Sequence, residues 1–243
     1  MKAELVTLFQ SVTYALSRNK KWNRKSLLNF FVRIIYKRLG VYIKKPFSYN
    51  FFALSFNQEF FLKNFLKNLL LLNFLDGTEY CISQNIIDVG SGAAPASIAL
   101  SMLTITKCGK DAHLHIELID KSYRQLELAK ELCRELSINV ISCRNEEFLL
   151  NGQQYNSLVV FSYFICEQDR SFIKLLYQHK DCFKNGFIIL DYKYVVERVK
   201  KVFEQHGDSC IRTVCLRTSL PESIASVLHE KEVNVYGCYF ENK

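Results

Sequence analysis

The chain has little proline, only 3 in 243 residues, and its hydrophobic fraction is 49%. That combination excludes a proline-rich or disordered character for the chain as a whole. Its 9 cysteines form no Cys-x-x-Cys, and the nearest two in sequence are Cys210 and Cys215. Zinc ribbons and iron–sulfur sites need closer ligand sets, so no metal is expected. The reading is of reduced, mostly buried thiols in a cytoplasmic protein. The 5 histidines supply no ligand box; His113 and His115 share a face at a strand entry, where solvation accounts for them. The longest apolar run, residues 69–75, is broken by Asn73 and is far shorter than a membrane span. The amino terminus lacks a secretory-signal pattern. No Gly-Lys-Ser/Thr follows a glycine loop, which excludes an ATP or GTP P-loop. A chain of this length can bury one sizeable core with a small appendage.

What is present is a run that begins as a buried strand, Asn85-Ile86-Ile87-Asp88-Val89, and turns through Gly90-Ser91-Gly92-Ala93-Ala94 into a helix at Pro95. Glycine permits positive φ and close backbone approach, and a helix start points free N–H groups at whatever lies there. A nucleoside-containing cofactor suits this corner; an ordinary strand–turn–helix junction is the plainer alternative. A dinucleotide fingerprint needs Gly or Ala at its third small position, and here Pro95 stands there. The small residue falls one place earlier, at Ala94. The pattern Asp88-x-Gly90-x-Gly92-x-Ala94 resembles motif I of the class I S-adenosylmethionine-dependent methyltransferases.

Further segments extend the resemblance. The apolar stretch 114–119 ends in Asp120, a strand-tip acid able to accept from both hydroxyls of a ribose. Lys121 and Ser122 follow. Ser122 reads as an N-cap, and Leu126, Ala129, Leu132, Cys133 and Leu136 recur at helical spacing. This start looks like the second motif of the same class. A third strand, 139–142, leads to Asn145, which either contacts an adenine amine or caps a helix before Glu146. A fourth, 157–161, ends at Ser162-Tyr163-Phe164, a tip that the resemblance places between cofactor and acceptor. The Asn/Asp-Pro-Pro-Tyr/Phe signature of adenine-N6 and glutamine-N5 methylation is absent there. The tip 161–167 faintly resembles that of a ribosome-associated branch carrying Ser-Tyr-x-Leu-x-Glu, although that branch's downstream cysteine cluster is missing.

Residues 186–191, 211–216 and 232–239 read as the remaining strands, with helices over 96–107, 122–136, 169–179 and 194–205. The predicted architecture is α/β: a seven-stranded, mostly parallel, doubly wound sheet over residues 77–243, with a helical N-terminal extension over 1–76. The resemblance implies an antiparallel last strand beside the sixth. It also implies S-adenosyl-L-methionine as cofactor and S-adenosyl-L-homocysteine as product. Gly90, Ser91 and Gly92 would approach the methionine portion, Asp120 would hold the ribose and Asn145 would contact the adenine, with Lys121 also bordering the cofactor. Asp88 would order the loop through its N–H groups, and Ser162 would border the same site. Tyr163 and Glu167 are candidates for orienting the acceptor. A methyl transfer from an activated donor needs mainly geometry and a dry site, so no triad is required.

Charge separates the two parts. Residues 1–76 carry 13 Lys/Arg and 3 Asp/Glu, whereas 77–243 carry 19 and 21. In the segment 25–39, Leu27, Leu28, Phe31, Ile34, Ile35 and Leu39 oppose Lys25, Arg33 and Lys37, a basic amphipathic helix. Such a face is either solvated, or a nucleic-acid surface to which Trp22 adds stacking, or a contact for a membrane surface or acidic partner. Residues 44–52 read as a linker broken at Pro46, before an apolar helix over 57–74. The resemblance implies that N-terminal aromatics close over the cofactor and shape the acceptor pocket; Tyr49, Phe51 and Phe52 would either do this or pack in the core. The acceptor is open between RNA or a ribosomal particle and a small molecule or peptide, with a non-catalytic assembly role as a third reading.

Overall fold

The computed structural model describes residues 49–76, 85–108, 114–135, 138–207, 210–228 and 230–242. The basic segment 18–39 and Trp22 lie outside the described residues, as does His113. In chain order the elements are α1 (Tyr49–Asp76), β1 (Asn85–Val89), α2 (Pro95–Cys108), β2 (His115–Ile119), α3 (Tyr123–Glu135), β3 (Val140–Arg144), β4 (Leu158–Ser162), α4 (Ser171–Gln178), β5 (Phe187–Leu190), α5 (Lys193–Gln205), β6 (Ile211–Ser219), α6 (Glu222–Leu228) and β7 (Glu232–Phe240). They build a seven-stranded sheet in the order β3-β2-β1-β4-β5-β7-β6. The first five strands pair in parallel, and β7 runs antiparallel between β5 and β6.

The apolar runs of the central strands explain their position, because a strand covered on both faces needs no polar alternation. Successive residues feed two cores. Ile86, Leu158, Val160, Ile188 and Leu190 join α1, α2 and α3 on one face. Ile87, Val159, Phe161, Phe187 and Ile189 join α4 and α5 on the other, which is rich in phenylalanine. The edge strand β6 instead alternates, exposing Arg212, Thr213, Cys215 and Arg217 to solvent. Arg217 pairs there with Glu232 of β7, and charge on an edge discourages pairing with another sheet.

Helix α1 begins eight residues before the predicted apolar helix, so Tyr49, Phe51 and Phe52 are helical rather than part of a linker. Phe65, Leu66, Leu69 and Leu71 are fully buried and point in several directions around its axis. A helix apolar all round belongs inside. It rests against α2 and β7, and at β7 Gly237 makes the approach feasible: a Cβ there would lie 2.6 Å from Leu71 Cδ2. Helix α6, between β6 and β7, was not anticipated; it spans only seven residues. Thiol burial also differs from expectation. Of the eight described cysteines only Cys133 and Cys238 are buried, and Cys108 and Cys215 are exposed. Cys215 faces solvent because it lies on the outward side of the edge strand β6. Among the described residues no helix is long and apolar enough to cross a membrane, and no cluster of His, Cys, Asp and Glu could hold a metal ion.

Candidate cofactor and acceptor cleft

Strand order reverses between β1 and β4, and a crevice opens outside the carboxyl ends of parallel strands at such a point. The cleft found there is bordered by Gly90, Ser91 and Gly92 after β1, Asp120 and Lys121 after β2, and Ser162, Tyr163 and Phe164 at the tip of β4. Phe148 and Glu167 complete its rim, and Phe61 and Asn64 of α1 close one side.

The loop between β1 and α2 is held by its neighbour strand. The Gly90 and Ser91 N–H groups both donate to Ile119 O, at 2.8 and 3.1 Å. Three loop residues take the left-handed conformation: Gly90 (φ 64°), Gly92 (φ 53°) and Ala94 (φ 62°). For alanine that conformation costs about 1–2 kcal/mol, and such strain concentrates at functional sites. Pro95 then supplies the first turn of α2, where its missing N–H removes nothing. At Gly90 the backbone touches protein: a Cβ would lie 2.5 Å from Phe164 Cδ2. At Gly92 nothing stands within 4 Å of the corresponding position, so open space meets bare backbone.

The strand-tip acids divide the work differently from expectation. Asp120 reaches across to the loop: its Oδ2 accepts from the Gly92 N–H at 2.9 Å and its Oδ1 from the Ser122 N–H at 2.7 Å. Asp88, expected to order the loop, is instead fully buried and bonds α2. Its Oδ2 accepts from the Ser97 hydroxyl at 2.6 Å and the Ser97 N–H at 3.2 Å, while Oδ1 has no partner. The reason is geometric. Asp88 points beneath the first turn of α2, where free N–H groups and the helix dipole attract an anion.

Asn145 is exposed and does not border the cleft; its amide donates to the backbone carbonyl of Asp120 at 3.1 Å. No helix starts at Glu146, so it caps none. Ser162 accepts from Asn68 Nδ2 at 3.1 Å, which ties the β4 tip to α1. Tyr163 holds a left-handed backbone, φ 55°, with its N–H on Leu190 O at 2.7 Å. Its hydroxyl accepts from Lys67 Nζ at 2.9 Å. Lys121 and Glu167 face each other across the cleft mouth at 3.9 Å.

Several wall residues carry no sequence signal. Phe61 and Asn64 belong to an apolar helix, as does Lys67, which bonds the wall residue Tyr163, and Phe148 sits in an irregular loop. Asp191 did carry one, as a third acid ending a buried strand. It is buried at the end of β5, where Oδ2 accepts from the Cys166 N–H at 3.0 Å and Oδ1 from the Tyr192 N–H at 2.7 Å. It thereby braces the turn that presents Tyr163.

No protein-family model and no curated protein sequence matches this chain. Solved structures do. The plantazolicin methyltransferase BpumL in complex with S-adenosylhomocysteine superposes with a TM-score of 0.51 at 12% identity, covering 89% of this chain and 100% of that one. Magnesium protoporphyrin IX methyltransferase from Synechocystis PCC 6803, with S-adenosylmethionine bound, gives 0.50 at 14% identity over 92% of this chain and 100% of that one. The fold is that of the class I S-adenosylmethionine-dependent methyltransferases.

Within this methyltransferase fold the electrostatics of the cleft are dominated by burial. It raises the Asp120 and Asp191 carboxyls, against the N–H groups that each accepts from. It raises Glu167 too, with Lys121 opposing and Asp120 reinforcing. It lowers Lys67 to about 8, helped by Lys63 and opposed by Glu230. The Tyr163 phenol is pushed up, first by burial and then by Asp191, and stays protonated. Asp88 moves most among the acids. Burial lifts it from 3.8 to about 7, partly offset by Ser97 and reinforced by Asp120.

The Asp88 shift has a consequence for stability. Its folded carboxyl binds a proton that the unfolded one has released between about pH 4 and pH 7, so its contribution is full at low pH and is lost as pH rises through that window. The shift corresponds to a few kcal/mol. Asp88→Asn, which stays neutral, is expected to melt near the wild-type temperature at pH 4 and above it at pH 8. Thermal denaturation at the two pH values measures this; a constant gap between the two proteins would show that Asp88 is ionised throughout.

Proposed function

We propose that the protein is an S-adenosylmethionine-dependent methyltransferase. The observation that carries this is the loop 90–92 at the switch point, tethered to Asp120 and open to solvent space at Gly92. The residues present suit this cofactor. The Asp120 carboxylate keeps acceptor capacity for a ribose diol beyond its two N–H bonds. Ser91 Oγ is buried without a partner beside the cleft. Phe148 and Ile119 offer apolar surface for an adenine ring, and Asn145, whose Nδ2 is held by the Asp120 carbonyl, keeps its Oδ1 as an acceptor for the adenine amine. The cofactor, when bound, supplies a methyl group already activated on a sulfonium sulfur.

The chain's own contribution is orientation and exclusion of water. Gly90, Ser91 and Gly92 let the backbone approach the methionine portion, and Lys121 flanks the ribose. Ser162 and Tyr163 stand between cofactor and acceptor. Tyr163, held by Lys67 and braced through Asp191, presents a fixed phenol to the incoming group, and Glu167 borders the same opening. A general base is needed only for an acceptor protonated at neutral pH. Residues 1–76 act as the acceptor-side extension of the cofactor domain 77–243, with α1 supplying the wall.

The acceptor favoured is RNA or a ribosomal particle, because the whole basic surplus of the chain precedes residue 77. The second reading is a small molecule or peptide. It is favoured by the apolar side of the cleft, formed by Phe61, Phe148 and Phe164. Transfer of a tritiated methyl group into RNA, protein and metabolite fractions decides between them. Label in RNA supports the first reading and label in a metabolite or peptide fraction the second. S-adenosylhomocysteine binding without label anywhere would leave a non-catalytic assembly role.

A further inference from the structure

Two tyrosines beside the cleft are exposed and aligned. Tyr192 precedes α5 and Tyr194 lies in its first turn, with 49% and 53% of their surfaces in solvent. Their rings lie within 10° of parallel with centroids 5.9 Å apart. Tyr192 also stands edge-on to Tyr163, at 5.4 Å and 74°, so the aromatic row continues into the cleft wall. The position is not accidental packing at a loose end: the Tyr192 N–H is pinned by the buried Asp191 carboxylate. The Arg198 guanidinium sits 5.9 Å from the Tyr194 ring centre and adds a cation to the outer end of the row.

We propose that Tyr192 and Tyr194 form a stacking shelf for an unpaired base of single-stranded nucleic acid, which leads the acceptor ring toward Tyr163. Aromatic side chains bind bases through their π-faces regardless of sequence, and a neighbouring cation holds the backbone phosphate. Charge selects a polyanion over a neutral aromatic molecule. Arg198 is at the outer end of the row, and Lys67 of α1 lies against Tyr163 at its inner end, 2.9 Å from the hydroxyl. The inference rests on the RNA reading above and names the part of the surface that would read it.

The test uses the full chain and fluorescein-labelled decauridylate, followed by anisotropy at low and moderate salt. Wild type is expected to bind, and more weakly as salt rises. Tyr192→Ala combined with Tyr194→Ala is expected to weaken binding by roughly 10- to 100-fold. Tyr192→Phe with Tyr194→Phe keeps the rings and is expected to stay within about threefold of wild type. All three proteins should bind S-adenosylhomocysteine equally, which also shows that each is folded. Wild-type affinity in the double alanine variant, or no binding of decauridylate by wild type, overturns the proposal. So does salt-independent binding of adenosine monophosphate as tight as that of decauridylate, which assigns the shelf to a free planar molecule. Loss of S-adenosylhomocysteine binding in wild type would strike the cofactor reading and leave the shelf to be judged on the oligonucleotide alone.

Discussion

Gly92→Ala is expected to abolish S-adenosylhomocysteine binding while leaving the protein folded. A methyl group at this position meets no protein atom within 4 Å, so the folded state bears only the cost of alanine at φ 53°. That cost is about 1–2 kcal/mol, a drop of only a few degrees in melting temperature for a chain of this size. The space the methyl would enter is where the cofactor must approach the backbone. Calorimetric titration should therefore show at least a roughly 100-fold loss of affinity. Gly90→Ala provides the contrast. There the new Cβ lies 2.5 Å from the Phe164 ring, which is stacked on Phe161 and edge-on to Phe172. Overpacking adds about 1–3 kcal/mol to the backbone strain, so Gly90→Ala is expected to melt well below Gly92→Ala. Undiminished binding by Gly92→Ala would remove the loop from the proposed site, and equal melting temperatures would show that the Phe164 ring yields to a methyl group at Gly90.

Asp120→Ala is the second large effect. Both carboxylate oxygens accept backbone N–H groups, from Gly92 and Ser122, so the substitution frees the loop and the start of α3 together. Charge-assisted hydrogen bonds contribute about 1.5–3 kcal/mol each. With the proposed ribose contact also gone, S-adenosylhomocysteine affinity is expected to fall by more than about 100-fold. Asp120→Asn is expected to be nearly as damaging. An amide has one accepting oxygen, and its NH2 group would face a second N–H donor. Titration of wild type and both variants measures this; unchanged affinity in Asp120→Ala would sink the cofactor assignment. The two predictions separate two functions of one loop, because Gly92 is tested for the space it leaves and Asp120 for the bonds that hold it.

The frame of the cleft was legible before any coordinates. Strand-length apolar runs ending in Asp88, Asp120 and Asp191, with helix-spaced segments between them, specify parallel strands whose tips share one edge. Such patterns are local, set by side-chain period and by the glycines that let the chain turn. Helix α6 escaped because seven residues carry too short a period to register. The early start of α1 escaped because Pro46 suggested a break, yet the helix begins only three residues beyond it.

The roles of the acids were not legible. Asp88 and Asp120 are both acids at the end of a buried strand, Asp88 inside β1 before the glycine turn and Asp120 just past β2 before Lys121 and Ser122. Asp88 lies beneath the first turn of α2 and bonds Ser97. Asp120 lies one strand away and reaches a glycine 28 residues earlier in the chain. Neither segment says which backbone groups its acid will meet; parallel pairing sets β2 beside β1 and leaves Asp120 facing the loop. The same holds for the wall of the cleft. Phe61, Asn64 and Lys67 read as members of an apolar helix, and they acquire a place beside Tyr163 because α1 packs across the sheet near the β4 tip. Local sequence thus dictates which elements form and which end of each strand carries chemistry. Which of those groups meet depends on long-range pairing and packing, because the atoms that complete the site come from segments separated by tens of residues.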